Sequence, residues 1–109
     1  MIDINTFSKL ELRVGTIEEA LSFDEAKKLA YRLKIDFGPY GKKWSSAQIA
    51  NNYSKEELID RQIIAAMNLG AKKIGNFHSE VLVLGVDDDE GNVTLLEPDN
   101  NIINGAKVN

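Results

Sequence analysis

A polar stretch at residues 68–85, NLGAKKIGNFHSEVLVLG, carries side chains suited to binding an anion. Lys72 and Lys73 supply adjacent positive charges, and Ser79 with Glu80 comes directly before an apolar run. One predicted buried strand precedes the stretch and a second one ends it. Polar loops held between buried strands are a common way for a rigid scaffold to present a binding site. The alternative is a solvated loop whose lysines keep the surface soluble, and this stretch alone favours that alternative.

Fragments of catalytic and metal-binding motifs occur nearby, and each fragment is incomplete. Residues 78–80 have the H-x-E form of zinc deaminases, but those enzymes need cysteine ligands and the chain has no cysteine. A calcium loop starting at Asp87 would need glycine and glutamate where the chain has Asn92 and Pro98. The glycines at 70 and 75 are not followed by the Lys-Ser/Thr pair of a phosphate loop. With one histidine and no recognisable nucleophile or acid–base pair, the sequence predicts a binding module without metal or cofactor, and not an enzyme.

Charge is distributed unevenly along the chain. The net charge of −4 argues against a purely electrostatic binder of nucleic acid. Residues 26–73, however, contain ten basic and four acidic residues and carry a net charge of +6. A basic middle segment in an acidic protein predicts a localised site for an anion. Chance clustering on a solvated surface is the alternative.

The length and composition predict one domain over residues 1–109 with a single core. No run approaches the ~20 apolar residues that a membrane-spanning helix needs, so we expect no membrane insertion. The N-terminus lacks the basic and then apolar order of a secretory signal. Because cysteine is absent, a reducing compartment is the natural expectation, and we predict a cytoplasmic protein.

The clearest predicted strand covers residues 31–37, where apolar and polar side chains alternate strictly. Arg32 and Lys34 lie on its polar face. The next strand, KKWSSAQI at residues 42–49, is so hydrophilic that one face should be open to water or to a ligand. Parity along this second strand turns Ala47 inward and places Trp44 on the open face. Trp44 is then either a partly buried aromatic residue or a stacking surface for a base or an apolar peptide side chain.

The remaining elements follow from similar signals. The chain begins with a helical turn capped by Asp3, and a strand follows over residues 10–17 with a bulge or bend at Gly15. One short helix within residues 52–61 begins with a Ser54/Glu57 capping box. Apolar strands follow at 62–67 and 81–86, and a hairpin covers residues 87–96. Three strands, a helix and two strands are the order of the OB-fold, so the predicted class is all-β with one short helix, a five-stranded Greek-key barrel. In that fold the ligand site combines the face of strands two and three with the loops after strands one and four. Here those parts are residues 31–37, 42–49, 23–29 and 68–79.

Five stretches resemble the CsaA group of tRNA-binding-domain proteins. They are KLELRVGTIEEAL, YRLKIDFGPYG, KKWSSAQI, NFHSEVLVLG and LLEPDNNIINGAKV, in that order over nearly the whole chain. The resemblance implies an OB-fold with N- and C-terminal additions that support a homodimer. It also implies binding of structured tRNA, and chaperone-like binding of unfolded polypeptides or of clients of the export machinery.

The resemblance also implies a binding pocket, which complements the basic face predicted from the strands. The pocket would involve Ser45, Ser46, Gln48, Asn68, Lys72, Lys73, Phe77, Ser79 and Glu80. The strand pattern adds Arg32, Lys34, Lys42, Lys43 and Trp44 to this set. Ser79 and Glu80 have a second interpretation, in which they mainly shape the loop, and Arg13 could be a structural partner of that loop. The chain departs from its relatives at residues 69–71 (Leu-Gly-Ala in place of a proline pair), at His78 and at Trp44.

Three hypotheses follow. The first is a homodimeric protein that binds tRNA-like RNA through lysines, Arg32 and aromatic residues. The second is a chaperone that holds extended polypeptides in the same groove. The third is a dimerisation module without a ligand, for which Ile102, Ile103 and Val108 would form an exposed apolar surface.

Overall fold

Alternating apolar side chains build a five-stranded antiparallel barrel in the computed structural model, which describes residues 1–24 and 29–109. The strands are β1 (Leu12–Ser22), β2 (Tyr31–Asp36), β3 (Lys42–Ala47), β4 (Gln62–Ala66), β5 (Lys72–Ile74), β6 (Phe77–Ser79), β7 (Leu82–Val83), β8 (Gly85–Asp87) and β9 (Val93–Leu95). The main sheet has the order β3-β2-β1-β4-β7, while β5–β6 and β8–β9 are separate hairpins. This is an OB-like barrel, as predicted, and the connection at 23–29 lies partly outside the described residues.

One backbone and two side-chain hydrogen bonds join the open edge of β3 to residues 79–80 and nearly close the barrel. The Glu80 amide donates to the Trp44 carbonyl at 2.8 Å, and the Trp44 amide donates to Glu80 Oε1 at 3.0 Å. The Ser46 amide donates to Ser79 Oγ at 2.9 Å. Since an unpaired strand edge leaves N–H and C=O groups exposed, the carboxylate and the hydroxyl here accept from two amides that a neighbouring strand would otherwise pair.

The core lies inside this barrel and follows the predicted alternation. Leu33, Ile35 and Phe37 are fully buried, whereas Arg32 and Lys34, which alternate with them, are only half-buried. Leu58 of the short helix α2 (Lys55–Leu58) is fully buried and belongs to the same core. The period of two along β2 therefore separates a buried face from a polar face that is available for contacts.

Two short helices cap their own first turns. In α1 (Ile4–Lys9) the Asp3 carboxylate accepts from the Thr6 amide, and in α2 (Lys55–Leu58) Ser54 and Glu57 form a reciprocal capping box. Both caps were predicted, because these side chains accept from the free N–H groups of a first helical turn. No helix within residues 1–24 or 29–109 has the length and apolar content to cross a lipid bilayer.

Two predicted elements are corrected. The run 81–86 is not one strand but divides into β7, which pairs with β4, and β8, which pairs with β9. A Cβ at Gly85 would lie 2.4 Å from Val93 Cγ1, so β9 approaches here more closely than a side chain would allow. The stretch 68–79 is likewise not an irregular loop, because it contains the β5–β6 hairpin.

The irregularity predicted at Gly15 lies further along β1. The β1–β2 register shifts between Ile17 and Glu19. Gly15 itself is required by close packing, since a Cβ there would lie 2.6 Å from both Ile35 and Phe37. Glycine at this position therefore allows β1 to pack closely against Ile35 and Phe37. The β-bulge, with its extra residue, follows further along β1, between Ile17 and Glu19.

The C-terminal tail runs along β1 and supplies a partner for Arg13. Arg13 Nη1 donates to the Gly105 carbonyl at 2.9 Å, and Arg13 Nη2 donates to Glu11 Oε1 at 3.1 Å. The guanidinium of Arg13 also lies 3.8 Å from the centre of the Tyr40 ring. Arg13 is thus a partner of the tail and not of the stretch at 68–80. Val108 is half-buried and its amide donates to Leu12, so it is not exposed as predicted.

Candidate functional site

The β5–β6 hairpin has a concavity on each side, and together they collect many of the predicted site residues. The first, which we call the apolar cavity, has a volume of about 400 Å³. Its polar rim consists of Ser46, Gln48, Lys72 and Ser79. Its apolar lining consists of Ala47, Ile49, Leu69, Ile74, Val81, Leu82, Val83, Val93 and Leu95, with Gly70 beside them. One lysine at the mouth of an apolar cleft suits a ligand that is mainly apolar with one anionic group.

The second concavity, which we call the aromatic cavity, has a volume of about 300 Å³. It is lined by Arg32, Trp44, Asn76, Phe77, His78 and Glu80. The register explains why these residues meet. Arg32 pairs with Ser46, two residues from Trp44 on the same face of β3, and Glu80 lies opposite Trp44.

Aromatic rings stabilise the base of the aromatic cavity. Phe77 packs edge-to-face against Trp44 with ring centres 6.2 Å apart, and against Phe23 at 5.1 Å. Arg32 donates to the Ser22 carbonyl through Nε and Nη2 and lies 5.7 Å from the centre of the Phe23 ring. Because these contacts order the ring of Trp44 and the guanidinium of Arg32, little side-chain freedom remains to be lost on binding.

Two predicted contact residues, Ser45 and Asn68, are used by the fold, and a third, Lys43, is only partly accessible. Ser45 is fully buried and donates to the Val81 carbonyl at 3.0 Å. The Asn68 amide group donates to the Lys9 carbonyl at 2.7 Å and accepts from the Glu11 amide at 2.9 Å. Lys43 is half-buried at the start of β3. Burial prevents Ser45 from touching a ligand, while Asn68 mainly fastens the end of β4 to the segment before β1.

The basic face of β2–β3 is partly neutralised by acids that the sequence pattern did not place there. Lys34 Nζ lies 3.5 Å from Glu19 Oε2, and Lys42 Nζ donates to Glu18 Oε2 at 3.0 Å. The hydrogen bond and the charge of Glu18 raise the pKa of Lys42 above its ordinary value. These two lysines therefore offer less free positive charge than the count over residues 26–73 indicates.

Lys72 and Lys73 remain exposed on the hairpin. In the antiparallel register of β5 and β6, Lys72 lies opposite Ser79 and Lys73 lies opposite His78. Both lysines are exposed. Successive residues of a strand point to opposite faces, and Lys72 lines the apolar cavity, so Lys73 points away from it. The pair places a positive charge on each side of the hairpin.

Sequence reasoning missed several lining residues. Leu69 was named only as a departure from the pattern of the CsaA group, yet it lines the apolar cavity. His78 was named only within an incomplete zinc motif and as a departure from the CsaA group, yet it lines the aromatic cavity beside Asn76. The missed signal was the alternation at 72–74 and 77–79 around Gly75, which has φ +60° and forms the hairpin turn.

Comparison with known proteins identifies relatives over almost the whole chain. The family model described as "Putative tRNA binding domain" matches residues 12–107. Methionine–tRNA ligase of Methanocaldococcus jannaschii is 38% identical over 107 residues, which are 98% of this chain and 16% of the ligase. Methionine–tRNA ligase of Pyrococcus horikoshii is also 38% identical, with 98% and 14% covered. The chain thus spans about one sixth of the length of these curated relatives.

Solved structures give the same result at the level of the fold. The CsaA chaperone of Picrophilus torridus is 53% identical with a TM-score of 0.93, and each chain covers 100% of the other. The CsaA chaperone of Bacillus anthracis is 46% identical with a TM-score of 0.94, covering 100% of this chain and 99% of its own. A MetRS-related protein of Pyrococcus horikoshii is 27% identical with a TM-score of 0.87, covering 99% and 97%.

Proposed function

This chain belongs to the tRNA-binding-domain family, and we propose that it binds tRNA or similarly structured RNA on the β2–β3 face and the β5–β6 hairpin. The observation that carries the proposal is that positively charged and aromatic side chains lie side by side around this hairpin. Arg32 and Trp44 line one side of the hairpin, and Lys72 lines the other. Structured RNA offers phosphates to such cations and unstacked bases to such rings.

In this proposal the two kinds of side chain have different tasks. Lys72 and Lys73 contact phosphates, because they are exposed and lie on an element that projects between the two cavities. Trp44 offers a half-exposed ring for a base, and Phe77 supports that ring. Phosphate contacts supply affinity and orientation, whereas stacking holds an unpaired base.

The proposal includes a homodimer in the cytoplasm. Ile103 is 85% exposed, and Ile2 and Ile4 are each 72% exposed. Apolar side chains this exposed in the terminal segments are typical of surfaces that a partner covers. A second copy would double the number of hairpin lysines and raise affinity through effective concentration.

The test is binding of tRNA by fluorescence anisotropy at several salt concentrations. Lysines that neutralise phosphates release the counterions condensed on the RNA, and this release becomes less favourable at high salt. The affinity for tRNA should therefore fall steeply as the salt concentration rises. The Lys72→Ala/Lys73→Ala variant should bind more weakly and with a smaller salt slope. The matched control is Lys9→Ala/Lys55→Ala, which removes the same charge from the two helices. Absence of tRNA binding at low salt, or equal effects of both double variants, would contradict the proposal.

A second function, binding of unfolded or export-bound polypeptides, has one observation in its favour. The apolar cavity is lined mostly by aliphatic side chains and would accept an apolar side chain of an extended peptide. In this case Leu69→Ala, which removes an exposed apolar side chain of that cavity, weakens binding of an unfolded polypeptide more than Lys72→Ala does, because apolar contacts dominate. The opposite order, measured with a reduced and labelled unfolded protein, would count against the chaperone function.

A further inference from the structure

We propose that the aromatic cavity is a pocket for a single unpaired guanine, with Glu80 as the residue that selects it. This inference rests on the proposed RNA-binding function and specifies the ligand of that site. It starts from the presence of a carboxylate and a guanidinium in one small concavity that a tryptophan also lines. Glu80, Arg32 and Trp44 all line this concavity of about 300 Å³.

The position of the Glu80 carboxylate is set by the barrel itself. Its Oε1 accepts from the Trp44 amide at 3.0 Å, and its own amide donates to the Trp44 carbonyl at 2.8 Å. Within residues 1–24 and 29–109, Oε2 accepts no hydrogen bond. The carboxylate is therefore fixed beside the tryptophan with acceptor capacity left, since each ionised oxygen has two lone pairs.

Guanine is the base whose edge matches this arrangement. Its Watson–Crick edge presents two adjacent donors, N1–H and N2–H₂, which suit an acceptor-only carboxylate. Its O6 and N7 are acceptors, which suit the Arg32 guanidinium. Adenine, cytosine and uracil have no two adjacent donors on that edge, so one acceptor of each would face the carboxylate unfavourably.

The same charges argue against other occupants of the aromatic cavity. The Glu80 carboxylate would repel a phosphate group and offset its attraction to Arg32. Arg32, which lines the same space, would likewise repel a lysine or arginine side chain of a peptide and offset its attraction to Glu80. A neutral, planar ligand with donors on one side and acceptors on the other avoids both penalties and can lie against the Trp44 ring.

The experiment uses a short fluorescein-labelled uridine oligonucleotide with one central guanosine, and the same oligonucleotide with inosine or adenosine there. Inosine lacks only the N2 amino group, so it removes one donor to the carboxylate. We expect guanosine to bind about tenfold more tightly than inosine, as for loss of one hydrogen bond to a charged group. Glu80→Gln should remove this difference, because an amide keeps an acceptor for the Trp44 amide but adds a donor that faces the base.

Glu56→Gln is the matched control, since it makes the same change at an exposed position of α2. An unchanged thermal midpoint of Glu80→Gln establishes that the fold is intact. Equal binding of all three oligonucleotides, while tRNA still binds, would overturn the guanine pocket and leave the proposed function standing. A Glu80-dependent affinity for a lysine-rich peptide with no effect of the base would also overturn it. Failure of tRNA itself to bind would remove both proposals.

Discussion

Gly15 shows at the residue scale how tightly the barrel is packed. A Cβ built on it would meet the side chains of Ile35 and Phe37 at 2.6 Å, which is closer than real contacts permit. Both neighbours are fully buried, so they cannot move aside without disturbing the core. The glycine is therefore required by packing, and the sequence pattern alone indicated only a break in the alternation.

Gly15→Ala should accordingly lower the free energy of unfolding by about 1–3 kcal/mol, because the added methyl overpacks the core. Urea denaturation monitored by circular dichroism measures this change. Gln48→Ala is the control, since Gln48 is exposed and its loss should change stability by less than about 0.5 kcal/mol. Equal stability of Gly15→Ala and the wild type would show that β1 can move away from β2.

Asp88 links stability to pH within the β8–β9 hairpin. The hydrogen bond from the Asn92 amide, followed by that from Asn52, lowers the pKa of Asp88 below its ordinary value of 3.8. A carboxyl group with a lowered folded pKa contributes stability above its unfolded pKa and loses it as pH falls through the folded pKa.

The wild type should therefore lose stability as the pH falls below about 3.8, and Asp88→Asn should show a smaller loss over the same range. Urea midpoints measured at a series of pH values make the comparison. Asp89→Asn serves as the control, because within the described residues its side chain makes none of these hydrogen bonds. Parallel pH profiles for the wild type and Asp88→Asn would exclude this linkage.

At the scale of elements, the position of the β5–β6 hairpin depends on two short motifs that meet across a gap in the sheet. Ser79 and Glu80 accept from the amides of Ser46 and Trp44. The sequence alone leaves open whether Ser79 and Glu80 contact a ligand or shape the loop, and the hydrogen bonds give both of them a shaping role. Glu80 still lines the aromatic cavity, so shaping and ligand contact do not exclude each other there.

Ser79→Ala should loosen this junction, because the Ser46 amide then loses its acceptor. Amide hydrogen exchange of Ser46 should become about tenfold faster, and Trp44 should follow to a smaller extent. Nuclear magnetic resonance resolves both amides individually. The comparison variant is Ser8→Ala, which changes a serine of α1 far from the junction. Unchanged exchange at Ser46 would mean that the side chain of Ser79 does not fasten the hairpin.

The secondary-structure elements differ in how well their local sequence predicts them. The alternation over 31–37 and the Ser54/Glu57 capping box are local signals, and both gave the observed element. The division of 81–86 was missed because it depends on β9, whose approach to Gly85 no local pattern records. The partners of Arg13 were missed for the same reason, since Gly105 lies 92 positions further along the chain.

At the scale of the whole molecule, net charge was a weaker guide than charge placement. The basic segment predicted a free cationic face on β2–β3, but β1 brings Glu18 and Glu19 beside Lys42 and Lys34. The pairing of β1 with β2 sets this neighbourhood, so composition could not reveal it. Among residues 1–24 and 29–109, no carboxylate forms an ion pair with Lys72 or Lys73. We therefore assign most of the electrostatic attraction to these two lysines.

The proposed dimer makes a prediction about the exposed terminal surface. The wild type should sediment as a dimer at micromolar concentration, and Ile103→Asp should shift it toward the monomer, because a buried unpaired charge is costly at an interface. Val86→Asp is the control, since Val86 is also exposed but lies on the β8–β9 hairpin. A monomeric wild type, or equal dissociation by both variants, would contradict a dimer formed through the terminal segments.

The most direct test of the central claim uses Trp44, which is the only tryptophan of the chain. Its ring lines the aromatic cavity, so RNA bound on the β2–β3 face should change its fluorescence. Titration with tRNA should change tryptophan emission with the same Kd that anisotropy gives. Binding detected by anisotropy with no change in Trp44 emission would place the RNA elsewhere and contradict a binding site on the β2–β3 face.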